Sequence, residues 1–371
     1  MTRHQTTVLF AGGGTGGHLM PALAIADAMV ELNPSIEPLF VGSRRGVEAR
    51  VLPMRPWRYE LLPLSPIHRA AWWRNFSLPV HLFQSLRGIR RLLASTDPKL
   101  VVGTGGYAAG PVVWAATLRG IPAVLQEQNA YPGIATRRLV RRARQIHLGF
   151  PEAEQYLRPG SDTEVLHSGN PIVPPPEPRP DREAAKSALG FSPGRPVVLV
   201  MGGSQGAAAI NRVVAEALGA GLWPASAQLV WQTGSASFES HRDLARPGAV
   251  RVEAFLDPIA EVYAATDLVV ARSGAMSLAE LAAWGLPAVL IPLPTAAANH
   301  QLTNAQALAN AGAAVLLEQA HTTAQKLTEV VSDLLGNPAR MADMSRAVKS
   351  RARPFAARDI AAKALTLLPQ N

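Results

Sequence analysis

Three glycine-rich segments of this chain have the composition of phosphate-binding loops. They read GGGTGGH at 12–18, GTGGYAAGP at 103–111 and GGSQGA at 202–207, and each directly follows an apolar run. Glycine lets backbone N–H groups approach an anion closely, and a helix that follows presents its positive end to the same anion. A single segment of this kind could equally be a tight turn between a strand and a helix. Three of them favour phosphate binding.

The first segment also fits a dinucleotide-binding fingerprint. Gly12, Gly14 and Gly17 have G-x-G-x-x-G spacing. NAD-binding domains carry an acidic residue after the second strand, whereas NADP-binding domains have an arginine nearby. Arg44 and Arg45 stand at that place, which disfavours NAD and leaves an NADP-dependent oxidoreductase as an alternative. An oxidoreductase, however, gives no reason for the glycine-rich turn in the other half of the chain.

Two residues are candidates for a general base, which would take a proton from a reacting hydroxyl. His18 ends the first glycine segment, near the predicted start of a helix. There the positive end of the helix dipole disfavours imidazolium and keeps the ring able to accept a proton. A histidine in this place could equally just bond the loop or a phosphate. Glu127, in QEQN, is the second candidate.

The sequence shows no residues typical of a metal site or of a covalently bound cofactor. The chain has no cysteine, which excludes disulfides, thiolate metal sites and cysteine nucleophiles. We also find no metal-ligand spacing and no D-x-D motif at a strand end. We therefore expect no built-in cofactor and no metal site.

Alternating apolar runs and helical patterns predict an α/β protein with two similar halves. Runs of this kind, separated by helical stretches, are typical of parallel strands buried on both faces. The proline-rich segment GNPIVPPPEPRP at 169–180 predicts a linker, because proline cannot donate to a sheet or helix ladder. We predict domains at 1–168 and 169–352, a C-terminal helix at about 353–371 that joins the first domain, and a ligand beyond the carboxyl ends of the strands. The predicted strands are TTVLFA, LVVGT and IPAVLQ in the first half and PVVLVMG, QLVWQ, DLVVAR and PAVLIP in the second.

The overall composition indicates a folded protein with an anionic partner. Of 371 residues, 48% are hydrophobic and 17% charged, and 36 Lys+Arg against 27 Asp+Glu give a net charge of +9. That charge suits a nucleic acid, an acidic membrane surface or a phosphorylated substrate equally well. The basic run RRLVRRARQ at 137–145 lacks an aromatic stacking platform, so we expect no nucleic-acid partner. No segment resembles a signal peptide or a spanning helix, and we expect a cytoplasmic protein.

The segment at 67–91, IHRAAWWRNFSLPVHLFQSLRGIRR, interleaves aromatic and apolar residues with arginines. Aromatic side chains favour the membrane interface, and arginines there attract anionic headgroups. An ordinary amphipathic helix packed on the core is the alternative interpretation. We predict contact with an anionic membrane surface through Trp72, Trp73, Phe76, Leu82, Phe83, Arg74 and Arg87.

Taken in order, seven motifs across nearly the whole chain resemble the MurG family of glycosyltransferases. The motifs are GGGTGGHLMPALAIA, GTGGYAAGP, QEQNA, SGNP, GGSQGA, ARSGAMSLAE and NHQLTNA. The resemblance implies a GT-B fold, with two Rossmann-like domains whose parallel sheets face a central cleft. It also implies inverting transfer of N-acetylglucosamine from UDP to the 4-hydroxyl of undecaprenyl-pyrophosphoryl-N-acetylmuramyl-pentapeptide. This is a step of peptidoglycan synthesis, and so of cell shape and division, at the cytoplasmic face of the membrane. Another nucleotide-sugar transferase of the same fold is the alternative.

The resemblance also assigns candidate residues to the two substrates. On the donor, Ser204, Gln205 and Gly206 would hold the diphosphate, the Leu256 backbone the uracil, Glu280 the ribose hydroxyls, and His300 with Gln301 the sugar hydroxyls. The donor-binding set is completed by Thr15, Gly16, Gly17, Asn129 and Arg272. The predicted site for the acceptor pyrophosphate comprises Gly13, Gly14, Thr15, Gly16, His18, Thr104, Gly105, Gly106 and Tyr107.

The chain departs from the family pattern after GNP. The family commonly has an arginine there that contacts the nucleotide, whereas this chain has Val173. An uncharged side chain cannot offset diphosphate charge, so Arg272, Arg179 or the loop N–H groups would have to compensate. We expect a higher KM for the donor than in a relative that carries the arginine.

Overall fold

The computed structural model describes residues 5–65, 78–202 and 207–369. The chain forms two compact units. Unit 1 comprises Met1–Val173 with Phe355–Asn371, and unit 2 comprises Pro174–Pro354. The chain thus passes between the units a few residues after the predicted bounds at 168 and 352.

Unit 1 is built on a seven-stranded sheet in which every neighbouring pair is parallel. Its central strands are buried on both faces, as their continuous apolar sequences require. The strand order is β3-β2-β1-β4-β5-β6-β7. The strands are β1 (Thr6–Gly12), β2 (Ile36–Ser43), β3 (Arg58–Leu62), β4 (Leu100–Gly105), β5 (Ala123–Glu127), β6 (Gln145–Leu148) and β7 (Glu164–Leu166).

Short connections and helices link these strands. The helices are α1 (Gly16–Leu32), α2 (Glu48–Val51), α3 (Leu78–Thr96), α4 (Gly106–Thr117) and α5 (Ile134–Leu139). The strand order reverses between β1 and β4, which pair through Ala11–Gly103 and Gly12–Gly105. In sheets of this kind ligands bind beyond the carboxyl ends of the strands at such a reversal. The first two glycine segments begin at these two strand ends.

Unit 2 repeats the plan with six parallel strands in the order β10-β9-β8-β11-β12-β13, which reverses between β8 and β11. The strands are β8 (Val197–Met201), β9 (Gln228–Gln232), β10 (Val250–Glu253), β11 (Leu268–Ala271), β12 (Ala288–Leu290) and β13 (Ala314–Leu316). The helices are α6 (Arg182–Ala188), α7 (Ala208–Gly219), α8 (Ser235–Phe238), α9 (Ile259–Ala265), α10 (Ala275–Trp284), α11 (His300–Asn310), α12 (Ala324–Leu335) and α13 (Pro338–Ser350).

The C-terminal helix α14 (Ala356–Leu365) belongs to unit 1. Its four buried residues, Ala356, Ile360, Ala361 and Ala364, have helical spacing and join the apolar cluster that contains the buried face of α1. Their burial explains why the chain returns to unit 1. Within the described ranges, no helix has the length and apolar character needed to span a bilayer.

Candidate active site

The first two glycine segments contact each other in unit 1. Gly13 N donates to Gly105 O at 3.4 Å, and a Cβ on Gly106 would lie only 2.0 Å from Gly13 O. Gly105 and Gly106 have φ of +99° and +77°, which glycine alone adopts at little cost. Because α1 and α4 both begin here, two positive helix ends lie at the same edge of the sheet. This arrangement favours an anionic ligand.

Only part of the first segment presents its surface to solvent. The N–H groups of Gly13 and Gly14 donate inside the protein, to Gly105 O and to the Glu48 carboxylate. Thr15, Gly16 and Gly17 are exposed, and a Cβ on Gly16 would meet nothing within 4 Å. The first turn of α1 is therefore the part of this segment that a ligand can approach, whereas Gly13 and Gly14 shape the loop.

Thr104 and Tyr107 complete the contact between the segments. Thr104 is fully buried, and its Oγ1 donates to His18 O at 2.7 Å. The Tyr107 ring packs on Gly14, where a Cβ would lie 2.6 Å from Tyr107 Cε1. The structure thus brings together the residues that we assigned to the acceptor pyrophosphate, and their contact with that group stays a prediction.

Glu48 is a buried carboxylate beneath the first segment that the sequence analysis missed. It is fully buried, and its Oε1 accepts from Gly14 N at 3.0 Å and from Ser43 N at 3.2 Å. A Cβ on Gly13 would lie 1.7 Å from Glu48 Oε1, and one on Gly46 1.9 Å from Oε2. Part of the glycine pattern here therefore serves to accommodate Glu48. In SRRGVEAR the residue has the sequence context of a solvated surface charge, so only the fold identifies it.

His18 lies at the junction of the two segments and is half-buried. Its Nδ1 is 3.1 Å from Thr104 O and 3.0 Å from Gln128 Oε1. Both neighbours are acceptors in this arrangement, so the hydrogen of the neutral ring belongs on Nδ1. The other ring nitrogen, Nε2, is then the one that can accept a proton.

Glu127, the second candidate base, accepts hydrogen bonds from the turn that follows β5. Its side chain is 3% exposed and both carboxylate oxygens already accept hydrogen bonds. Oε1 accepts from the backbone N and Nδ2 of Asn129 at 3.1 and 3.3 Å, and Oε2 from Gly133 N and Thr136 Oγ1 at 2.9 and 2.7 Å. These four hydrogen bonds hold the turn after β5, and the choice of the base between His18 and Glu127 stays a prediction.

Glu280, the predicted ribose ligand in unit 2, has a buried tyrosine partner. Tyr263 OH donates to Glu280 Oε2 at 2.8 Å. Burial raises the pKa of Glu280, and the hydrogen bond from Tyr263 acts in the opposite direction. Burial also raises the pKa of Tyr263 well above its ordinary value, so the phenol is the donor. Tyr263 carries no recognisable motif, and the sequence analysis missed it.

A network of hydrogen bonds at the carboxyl end of β11 holds the loop after β12. Arg272 Nη1 donates to Ile291 O at 2.8 Å, and Nη2 donates to Gln319 Oε1 at 2.6 Å. Burial lowers the pKa of Arg272 from its ordinary value. Gln301 Oε1 accepts from Leu293 N at 3.0 Å, which leaves the donor end of that amide, Nε2, to meet a ligand.

The structure also shows where other residues predicted for the donor site lie, and their contacts with the donor stay predictions. His300 Nδ1 bonds Ala297 O at 2.6 Å, and Leu256 is buried at 6% exposure. Arg179 donates to Ala283 O at 2.9 Å and lies over the Trp284 ring, so it is held at the end of α10. Three predicted residues of the third glycine segment, Ser204, Gln205 and Gly206, lie outside the described residues.

Comparison with known proteins identifies the family. The profile of the glycosyltransferase family 28 N-terminal domain matches residues 8–148, and that of the family 28 C-terminal domain matches residues 197–360. The Salinibacter ruber protein named "UDP-N-acetylglucosamine--N-acetylmuramyl-(pentapeptide) pyrophosphoryl-undecaprenol N-acetylglucosamine transferase" is 42% identical over 99% of this chain and 98% of its own. A solved structure of Acinetobacter baumannii MurG covers 97% of this chain and 99% of its own, with 27% identity and a TM-score of 0.78. The chain belongs to the MurG family.

Other similar proteins agree with this assignment. The Chlorobium limicola member of the MurG family, which bears the same name, is 38% identical over 97% of this chain and 99% of its own. The solved structure of a glycosyltransferase of kitacinnamycin, at 17% identity and a TM-score of 0.69, covers 98% of this chain and all of its own, and it supports the fold alone. The predicted GT-B fold class and the predicted MurG family are both confirmed.

Proposed function

We propose that this chain transfers N-acetylglucosamine from UDP-N-acetylglucosamine to the lipid-linked muramyl-pentapeptide of peptidoglycan synthesis. The observation that carries the proposal is 42% identity over nearly the whole length of a relative that bears the name of this activity. An NADP-dependent oxidoreductase and a different nucleotide-sugar transferase are not favoured, since the Salinibacter ruber and Chlorobium limicola relatives both bear the name of the proposed activity.

In unit 1 the paired glycine segments bind the acceptor pyrophosphate. Two helix N-termini and the exposed first turn of α1 supply the positive potential that two phosphates need. His18 Nε2 takes the proton of the muramyl 4-hydroxyl while that oxygen bonds to the anomeric carbon of the donor. The bond from the anomeric carbon to UDP breaks on the opposite face, so the configuration inverts. Its electron pair leaves with the diphosphate.

In unit 2 the donor is held by one carboxylate and by hydrogen bonds from uncharged groups. Glu280, oriented by Tyr263, accepts from the ribose hydroxyls. Gln301 donates to an oxygen of the sugar through Nε2, because Leu293 N already occupies its Oε1. Val173 is 85% exposed and supplies no charge, and the Arg272 guanidinium is engaged by Ile291 O and Gln319 Oε1, so the positive N-terminal end of α7 is left to offset the diphosphate charge.

The acceptor is a lipid, and two neighbouring helices of unit 1 supply a surface for the membrane. On α3, Leu82 and Phe83 are 50% and 67% exposed, and Arg87 is exposed as well. On α4, which packs against α3, Trp114 and Leu118 are 39% and 53% exposed. Exposed apolar and basic groups on neighbouring helices suit an anionic bilayer at the cytoplasmic side. Four predicted membrane residues, Trp72, Trp73, Arg74 and Phe76, lie outside the described residues.

Ligand-dependent unfolding tests the proposal directly. We expect UDP-N-acetylglucosamine to stabilise the protein by about 2.7 kcal/mol at a concentration of about 100 Kd. UDP-N-acetylgalactosamine should stabilise it less, and NADPH not at all. Glu280→Gln should reduce the stabilisation, with the exposed Glu216→Gln in the same unit as a control. Stabilisation by NADPH alone would refute the proposal, and equal stabilisation by both UDP-sugars would indicate a different transferase.

A further inference from the structure

Three buried side-chain amides form a chain that ends at the His18 ring. Gln126, Gln128 and Asn170 are each at most 2% exposed. Asn170 Nδ2 donates to Gln128 O at 3.0 Å, and Gln126 Nε2 donates to Asn170 Oδ1 at 3.0 Å. Gln128 Nε2 in turn donates to Gln126 Oε1, and Gln128 Oε1 faces His18 Nδ1 at 3.0 Å.

Two backbone carbonyls fix the direction of this chain. A carbonyl oxygen only accepts hydrogen bonds, so a side-chain amide must turn its NH₂ group towards it. Thr104 O lies 2.7 Å from one end of the Gln128 amide, which is therefore Nε2. Gln128 O fixes the Asn170 amide in the same way, and Asn170 then fixes Gln126. Each amide is thus oriented without reference to the histidine.

The Gln128 amide and the Thr104 carbonyl together decide which nitrogen of His18 is protonated. Nδ1 faces two acceptors, Thr104 O at 3.1 Å and Gln128 Oε1 at 3.0 Å, and must carry a hydrogen to bond either. We propose that Gln128, oriented by Thr104 O and Gln126, is a positioning residue that helps Thr104 O to hold neutral His18 in the Nδ1–H tautomer. The Nε2 lone pair is thereby reserved for the proton of the acceptor hydroxyl.

The role of Nε2 rests on the proposed function, whereas the tautomer does not. When Nε2 takes the hydroxyl proton, the ring becomes imidazolium and Nδ1–H keeps its bond to Gln128 Oε1. A carboxylate in place of this amide would stabilise imidazolium before the reaction, and a ring that is already protonated cannot take the hydroxyl proton. The neutral amide fixes the tautomer without adding that charge.

Nitrogen NMR of protein labelled with ¹⁵N-histidine tests the tautomer directly, because protonated and unprotonated ring nitrogens resonate apart. His18→Gln identifies the His18 signals by their loss. We expect a protonated Nδ1 and an unprotonated Nε2 in the wild-type protein at neutral pH. An Nε2-protonated ring would overturn the proposal whatever the activity of the enzyme.

Variants of the chain test the positioning role. Gln128→Leu leaves Thr104 O as an acceptor for Nδ1, so we expect the Nε2–H form to appear beside the Nδ1–H form and kcat to fall severalfold, with both KM values nearly unchanged. Gln126→Leu should have a smaller effect of the same kind, because Gln128 Nε2 still donates to Thr104 O and keeps its orientation. Gln145→Leu removes another buried amide of the same sheet and serves as the control.

A Gln128→Leu protein with the wild-type tautomer and kcat would refute the positioning role. If Gln128→Leu does not fold, the tautomer and kcat of Gln126→Leu and the spectrum of the wild-type protein still test the positioning role. Absence of transfer by the wild-type protein would instead refute the proposed function and leave the tautomer measurement valid.

Discussion

Glu48 contacts the first glycine segment and His18 ends it, and each limits which groups of the loop a ligand can reach. Glu48 occupies the N–H of Gly14, which is then unable to bind a phosphate. His18 is fixed through Nδ1 and presents Nε2. At the scale of single residues, the segment is therefore a scaffold at Gly13 and Gly14 and a ligand surface from Thr15 onwards.

Glu48→Ala should weaken both folding and acceptor binding. The substitution leaves two N–H groups, those of Gly14 and Ser43, without their acceptor. We expect the free energy of unfolding to fall by at least about 2 kcal/mol, because each unsatisfied buried donor costs about 1–3 kcal/mol. The KM for the lipid-linked acceptor should rise more than the KM for the donor. Denaturant unfolding and steady-state kinetics measure the two effects.

Glu31→Ala, on the exposed face of α1, is the control for this prediction. A Glu48→Ala protein as stable as that control would show that the carboxylate does not hold the loop. A rise in the KM of the donor alone would show that the loop does not serve the acceptor.

At the scale of elements, the predicted strands were those with continuous apolar sequences, and they are confirmed. They correspond to β1, β4, β5, β8, β9, β11 and β12. The edge strands β3, β7 and β10 were not predicted because their sequences mix polar and apolar residues. β10, VRVE, alternates between buried and half-exposed positions, and β3 is exposed over its first two residues. Partial burial at a sheet edge removes the continuous apolar signal.

Helix α3 offers the element-scale test of membrane binding. The double substitution Leu82→Ser with Phe83→Ser removes two exposed apolar side chains without touching the buried face. We expect severalfold weaker co-sedimentation with vesicles that contain anionic lipid, because the apolar contact with the bilayer is lost. Wild-type protein should bind vesicles of neutral lipid less well than anionic ones.

Leu222→Ser, at an exposed leucine of unit 2, is the matched control. Vesicle binding equal to that of the wild type in the α3 double variant would exclude this face as the membrane contact. Vesicle binding that does not depend on anionic lipid would show that the arginines do not contribute to membrane contact.

At the scale of the whole molecule, both units use one plan, in which a parallel sheet reverses its strand order and a glycine-rich segment follows the strand at the reversal in the sequence. The chain passes from unit 1 to unit 2 within the proline-rich linker, and it returns to unit 1 through α14, which packs against α1.

The stability of unit 1 also depends on charges far from its glycine segments. Burial lowers the pKa of His147, on β6, to about 4, with the Glu164 carboxylate acting in the opposite direction.

This shift predicts a loss of stability in acid. Between pH 6.5 and about 4 the unfolded chain binds a proton at His147 that the folded chain excludes, so stability falls as pH falls through this window. The loss approaches about 3 kcal/mol below the lower value. Thermal unfolding across this range should show a weaker pH dependence in His147→Gln. His167→Gln, at an exposed histidine, is the control and should leave the dependence unchanged. Identical profiles for wild type and His147→Gln would contradict the assignment.

The sequence by itself determined the α/β class, the family and the glycine segments, because continuous apolar strands and glycine turns are local patterns. It left the base undecided between His18 and Glu127, and it gave no sign of Glu48, Tyr263 or the orientation of Gln128. These depend on contacts between residues far apart in the chain, such as His18 with Gln128 and Gly14 with Glu48. Only the tertiary structure shows which donors and acceptors are already satisfied, and that decides which groups remain for a substrate.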